Sequence, residues 1–173
     1  MNFLILSDSH RNRQNVDLAI SRAGKLDGIF FLGDGVSDLG FENNYNGIPL
    51  FRVMGNCDVC MSSVLEEIPE ELFLTFGEYN ILLMHGHTLG VKSSICAAAA
   101  YAAKKGADAL LFGHTHMPYE KYLPAGEEIG GVTLQKPLYL FNPGSIGKLD
   151  AWHFSFGTLS LSKNGLLFAH GKL

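Results

Sequence analysis

The stretch LLFGHTHMPY (110–119) builds an apolar run and then ends it with His114 and His116, two imidazoles one residue apart. The same event recurs along the chain. NFLILS leads into Asp8-Ser9-His10, GIFFL into Gly33-Asp34, IPLFRVM into Gly55-Asn56-Cys57-Asp58, and YNILLM into His85-Gly86-His87. A lone histidine at a strand end is usually an ordinary hydrogen-bonded polar residue, and one HxH occurs by chance. The weight lies in the joint occurrence, at strand ends, where open α/β sheets bind ligands. In extended backbone, residues two apart point the same way, so Asp8 and His10, and likewise His114 and His116, are expected to converge. Glycine beside each donor removes Cβ bulk and lets loops crowd a small centre. Carboxylate, imidazole and amide oxygen together suit Mn²⁺, Fe²⁺, Co²⁺, Ni²⁺ or Zn²⁺. The donors Asp8, His10, Asp34, Asn56, His85, His114 and His116 exceed what one ion needs. They match two ions sharing one carboxylate, and Asp34 has the two oxygens to bridge them.

The elements that must carry these donors follow from the apolar pattern. Residues 2–7, 28–34, 48–56 and 107–113 read as buried strands. Residues 12–23 have helical spacing at Val16, Ala19, Ile20 and Ala23, with Gly24 placed as a C-cap glycine. Residues 72–76 and 79–86 form a hairpin through Gly77-Glu78. The alanine-rich segment 91–105 predicts a helix ending at Gly106, its apolar face at Ile95, Ala98 and Ala102 directed to the core. Beyond Pro118 the pattern alternates and the chain reads as mostly antiparallel strands. Continuous apolar strands interleaved with helices predict an α/β core with parallel pairs, in a single domain spanning 1–173.

Composition narrows the function classes. A net charge of −4 lacks the footprint of a general nucleic-acid binder. No window approaches the ~18 apolar residues of a membrane span. The N-terminal run is too short and wrongly flanked for a signal peptide, and three cysteines fit a reducing compartment, so a cytoplasmic location is expected. Cys57-x-x-Cys60 lacks the second pair a zinc site needs, and Cys96 falls in the predicted helix. His153 and His170 lie outside every cluster.

In their order, Asp8-x-His10, Gly33-Asp34, Gly55-Asn56-Cys57-Asp58, His85-Gly86-His87 and Gly113-His114-Thr115-His116 resemble the calcineurin-like metallophosphoesterases. The match is closest to the small bacterial and archaeal YfcE-type phosphodiesterase branch, which also shows Phe141-Asn142-Pro143-Gly144-Ser145. The resemblance covers residues 1 to about 147. It implies a four-layer α/β/β/α sandwich of two mixed β-sheets with a dinuclear centre at one end. It places the first ion on Asp8, His10, Asp34 and His116, and the second on Asp34, Asn56, His85 and His114. A hydroxide between the ions would be the nucleophile. Manganese is the first expectation for the metal, with nickel, iron, cobalt and zinc as alternatives. The expected substrate is a small phosphodiester, with no membrane partner; homo-oligomerisation stays open.

Three residues have two readings each. His87 contacts phosphate or protonates the leaving oxygen, or it packs behind the ligands. Arg11 reaches the substrate phosphate, as guanidinium suits phosphate oxygens, or it is a solvated surface residue. Asp58 acts at the reaction or, more simply, orients its neighbours. Cys57 stands where larger relatives carry histidine, which leaves the acid for the leaving group unassigned. Asn142 and Ser145 are expected to close a turn beneath the site. Against the phosphodiesterase stand a non-catalytic metal-binding scaffold or interaction module, like the retromer-subunit relative, and a phosphomonoesterase.

Overall fold

Apolar runs without polar alternation need cover on both faces. The computed structural model, which describes residues 1–40, 42–58, 68–148 and 153–173, supplies that cover with four layers. Strands β1 (Asn2–Leu6), β2 (Gly28–Phe31), β3 (Asn44–Tyr45), β4 (Ile48–Arg52), β12 (Ser155–Ser162) and β13 (Gly165–Lys172) form a six-stranded sheet, ordered β13-β12-β1-β2-β4-β3. Strands β5 (Glu71–Phe76), β6 (Tyr79–Met84), β7 (Ala109–Phe112), β8 (Pro118–Leu123) and β11 (Leu138–Pro143) form a five-stranded sheet, ordered β5-β6-β7-β11-β8. A small ladder joins β9 (Glu128–Ile129) to β10 (Val132–Thr133).

Side chains alternate between the layers. Phe3, Ile5, Phe30 and Leu32 from the first sheet meet Ile81, Leu83, Ala109 and Leu111 from the second. The opposite faces of the same strands bury Leu4, Leu6, Ile29 and Phe31 with Val16 and Ala19 of helix α1 (Arg13–Arg22). On the other side, Leu82, Met84, Leu110 and Phe112 lie with Ala98, Ala99 and Ala102 of helix α2 (Cys96–Lys104). The result is the α/β/β/α sandwich. Phe3 stacks on Phe30 at 4.5 Å between centroids, and Phe141 on Phe168 at 4.9 Å. Each buried phenylalanine contributes roughly 1.5–3 kcal/mol by removing its surface from water.

The pairs β1–β2, β2–β4 and β6–β7 are parallel. In each sheet, therefore, the C-terminal ends of these strands share one edge. The hairpin through Gly77-Glu78 forms as read, with Phe76 opposite Tyr79. The alanine-rich helix is shorter than its composition predicts, starting at Cys96 rather than residue 91. Serine is the reason. Ser93 and Ser94 both donate their backbone N–H to Gly90 O, and Ser94 Oγ accepts from Cys96 N at 3.2 Å, so a backbone turn and one side-chain bond stand where the first helical turn was expected. Among the described residues, no helix is long and apolar enough to cross a membrane.

Candidate metal centre

The donors converge by a different route from strand alternation. Asp8, His10, Asp34, His114 and His116 all adopt left-handed backbone, with φ of 56°, 44°, 58°, 67° and 62°. Each residue leaves its strand and turns back on itself. Asp, Asn and His tolerate this region better than most residues, yet each costs roughly 1 kcal/mol or more. Ties between the loops hold them there. Asp8 N donates to Gly33 O at 2.9 Å, His10 N to Asp34 O at 3.1 Å, and Gly113 N to His85 O at 3.1 Å. Glycine makes the approach feasible. A Cβ on Gly55 would lie 2.2 Å from Asp34 Oδ1, and one on Gly113 would lie 2.0 Å from Ser7 Oγ.

Asp8 divides its two oxygens between structure and site. Oδ2 accepts from Ser7 Oγ at 2.5 Å and from His114 N at 3.1 Å. Oδ1 is buried without a hydrogen-bond partner, 3.2 Å from His116 Nε2 and 3.8 Å from His10 Nε2. The two Nε2 atoms are 3.2 Å apart. His85 is divided in the same way. Its Nδ1–H donates to Leu32 O at 2.7 Å, which fixes the tautomer and aims Nε2 at Asp34 Oδ2, 3.4 Å away. That Nε2 is also buried without a hydrogen-bond partner.

Three donor groups result. Asp8, His10 and His116 form one, Asp34, His85 and His114 another, and His10, Asp34 and Cys57 a third; within each, the donor atoms lie within 4.8 Å of one another. Asp34 therefore belongs to two groups. The residues fit divalent cations, because two buried donor atoms, Asp8 Oδ1 and His85 Nε2, lack partners and each faces further donors.

Electrostatics set the protonation states a cation needs. Burial raises the Asp34 pKa, but the His85 imidazole 3.4 Å away and the Cys57 N–H outweigh it and hold the carboxyl far below its ordinary range. Burial, then the charges of His85 and Lys92, bring His114 down to about 4. Burial and Lys148 lower His10, and burial and His85 lower His87. His85 differs: burial lowers it, but Asp34 and Asp8 prevail and raise it.

Other residues singled out by the sequence sit around this core. Asn56 is exposed, and its Nδ2 donates to Cys57 Sγ at 3.4 Å. Asp58 is not free for chemistry. Its Oδ1 accepts from Gly35 N at 2.7 Å and Val36 N at 3.1 Å, and its Oδ2 from Asp34 N and Gly55 N, both at 2.8 Å. It is a positioning residue that ties the β2 loop to the β4 loop. Arg11 is exposed and lines a cleft of about 170 Å³ with His10, Asp34, Ser37 and Cys57. His87 lies 5.4 Å from His85 and 6.1 Å from His114, ring to ring, with its Nδ1 buried and unpartnered. Asn142 and Ser145 do more than close a turn. Asn142 Nδ2 donates to Gly113 O at 2.8 Å and Thr115 Oγ1 at 3.1 Å, and Ser145 Oγ donates to Asp8 O at 2.9 Å. His170 stacks on Phe141 and hydrogen-bonds Asn142 O at 2.8 Å, whereas His153 is exposed. Cys96 is a free thiol on α2, and Cys60 lies outside the described residues. Sequence reasoning missed Ser7 as the prop of Asp8, and Lys92 and Lys148 as cations near the centre. Ser7 precedes the first motif directly, whereas nothing local marks the lysines.

The model of the calcineurin-like phosphoesterase superfamily domain matches residues 1–164. The chain belongs to that superfamily. Among curated proteins, the "Probable metallophosphoesterase YsnB" of Bacillus subtilis (strain 168) is 34% identical over 148 residues, covering 84% of this chain and 75% of the relative. Two solved structures share the superfamily fold with it. One is a predicted phosphoesterase from Streptococcus pneumoniae TIGR4, with a TM-score of 0.73 and 22% identity, covering 99% of this chain and 88% of the other. The second is described as a novel archaeal phosphodiesterase, with a TM-score of 0.67 and 22% identity over the whole of both chains. The His/Asp clusters of this metallophosphoesterase-type protein stand where strand ends of both sheets meet.

Proposed function

We propose that this protein is a metal-dependent hydrolase of small phosphodiesters, with two divalent ions held by Asp8, His10, Asp34, Asn56, His85, His114 and His116. One observation carries the reading: two buried donor atoms without a hydrogen bond, Asp8 Oδ1 and His85 Nε2, belong to two donor groups that the third, containing His10 and Asp34, joins. A scaffold that bound no metal would have no use for such atoms, since each costs desolvation without return. Divalent ions, when bound, neutralise phosphodiester charge and lower the pKa of water.

The chain's own residues do the rest. Asp34 would be shared between the two ions. Arg11, at the mouth of the cleft, and Lys92 and Lys148 near His114 and His10 attract and orient the phosphate anion. His87, with its lowered pKa, is neutral near pH 7, so it serves as a hydrogen-bonding contact for a phosphate oxygen rather than as a proton donor. Cys57 and Asp58 offer no better acid, so the leaving group is best an aryl oxide or another weakly basic oxyanion that departs with little protonation. The archaeal phosphodiesterase of the same fold supports the choice of a diester.

Chelated protein should regain hydrolysis of a bis-aryl phosphodiester on addition of Mn²⁺ or Ni²⁺, and Asp34→Asn should lose at least ~100-fold of it while keeping its circular dichroism. Wild-type protein inert across a panel of divalent metals would favour the scaffold, and preference for an aryl phosphomonoester would favour a monoesterase.

A further inference from the structure

The third donor group is the unexpected one. Cys57 Sγ, His10 Nε2 or Nδ1 and an Asp34 oxygen lie within 4.8 Å of one another. Donor atoms on one four- or five-coordinate ion, with bonds of about 2.0–2.3 Å, stand roughly 3–3.5 Å apart, so the three lie close enough for a single cation to draw them together. Two further contacts place the residue. Cys57 N–H donates to Asp34 Oδ1 at 2.7 Å, which pins the residue against the shared carboxylate. The Asn56 amide donates to Sγ at 3.4 Å, while burial and the Asp34 carboxylate raise the thiol pKa, so a bound cation has to displace the thiol proton.

We infer that Cys57 is itself a metal ligand, joining Asp8, His10, Asp34 and His116, and that it makes the two ions inequivalent. The ion on the His10 side gains a soft thiolate, while the ion on the His85 side keeps oxygen and nitrogen donors only. Thiolate selects zinc-like ions over manganese. The chain therefore loads a soft ion beside Cys57 and accepts a harder ion, such as Mn²⁺, at the second position. On coordination the thiol gives up its proton to solvent and the sulfur lone pair forms the metal bond; no oxidant is required.

This inference rests on the metal-centre reading above, and Co²⁺ separates the two. Bound Co²⁺ shows visible d–d bands whatever its ligands, and a near-ultraviolet sulfur-to-cobalt charge-transfer band only when thiolate is bound. Full-length protein titrated with Co²⁺ should show both. Cys57→Ser should lose the charge-transfer band while retaining d–d bands, and Cys60→Ser and Cys96→Ser should keep both. Cys57→Ser should weaken Zn²⁺ binding about tenfold or more and Mn²⁺ binding far less. In wild-type protein, Zn²⁺ should slow alkylation of Cys57, read by peptide mass, a measurement independent of how the variant folds. Visible bands without the charge-transfer band, a charge-transfer band surviving Cys57→Ser, or Zn²⁺ that leaves Cys57 alkylation unchanged would overturn the ligand assignment alone. Absence of any cobalt spectrum would overturn the metal centre as well.

Discussion

Asp58→Asn discriminates a positioning role from a chemical one. The carboxylate accepts four backbone N–H groups, two per oxygen, at 2.7–3.1 Å. A hydrogen bond to a charged acceptor contributes about 1.5–3 kcal/mol net. Asparagine keeps one oxygen and turns an NH₂ toward the other pair of donors. Two charge-assisted bonds are lost, and two backbone N–H groups face another donor in a buried place. A loss of about 3–5 kcal/mol follows, a large share of the ~5–15 kcal/mol that holds a domain folded. With a urea m-value near ~2 kcal/mol/M, the midpoint should fall by ~2 M. Metal-free wild type and variant should be unfolded side by side, followed by tryptophan fluorescence and circular dichroism. A midpoint within ~0.5 M of wild type would refute the accounting. If that variant had also lost turnover, Asp58 would return to the list of groups acting at the reaction.

Gly113→Ala should abolish metal binding or folding, because its Cβ would meet Ser7 Oγ at 2.0 Å and Asp8 Oδ2 at 3.0 Å; calorimetric titration with Mn²⁺ giving wild-type affinity would contradict this. The stability of metal-free protein should peak near pH 6.5. His114, lowered to about 4, binds fewer protons folded than unfolded, so stability rises with pH from about 4 to 6.5. His85, raised above 6.5, contributes stability that is present below 6.5 and is lost as pH climbs through its folded pKa. Added metal competes with the proton at His85 Nε2 and should remove the falling limb; urea midpoints from pH 4 to 8.5 that change in one direction only, without metal, would rule this out.

The layers were legible because the physics behind them is local. A strand such as NFLIL, apolar at every position after Asn2, can only be covered twice, and the two covers are the second sheet and α1. The donors were legible by type and by place, since each one follows such a strand. Their geometry was not. Strand alternation put His114 and His116 on one side by the wrong mechanism, since both residues are in left-handed turns that no propensity of theirs announces. The start of α2 was misplaced because alanine content outweighed Ser93 and Ser94, whose bonding to nearby backbone appears only once the Gly90 turn exists. The bonds of Asp58 to Asp34 and Gly35, more than twenty residues away, depend on loops meeting in space, and no spacing along the chain encodes that.

Two of the three donor groups draw on both halves of the sandwich. Asp8 and His10 follow β1 of one sheet and His116 follows β7 of the other; Asp34 follows β2, while His85 and His114 follow β6 and β7. A cation in either place is thus a rivet through the seam of the molecule. The sheets cannot splay at that end without tearing out a rivet, and a rivet cannot leave until the seam gapes. Stripping by a chelator should therefore be paced by the breathing of the seam, with a rate that levels off as chelator is increased.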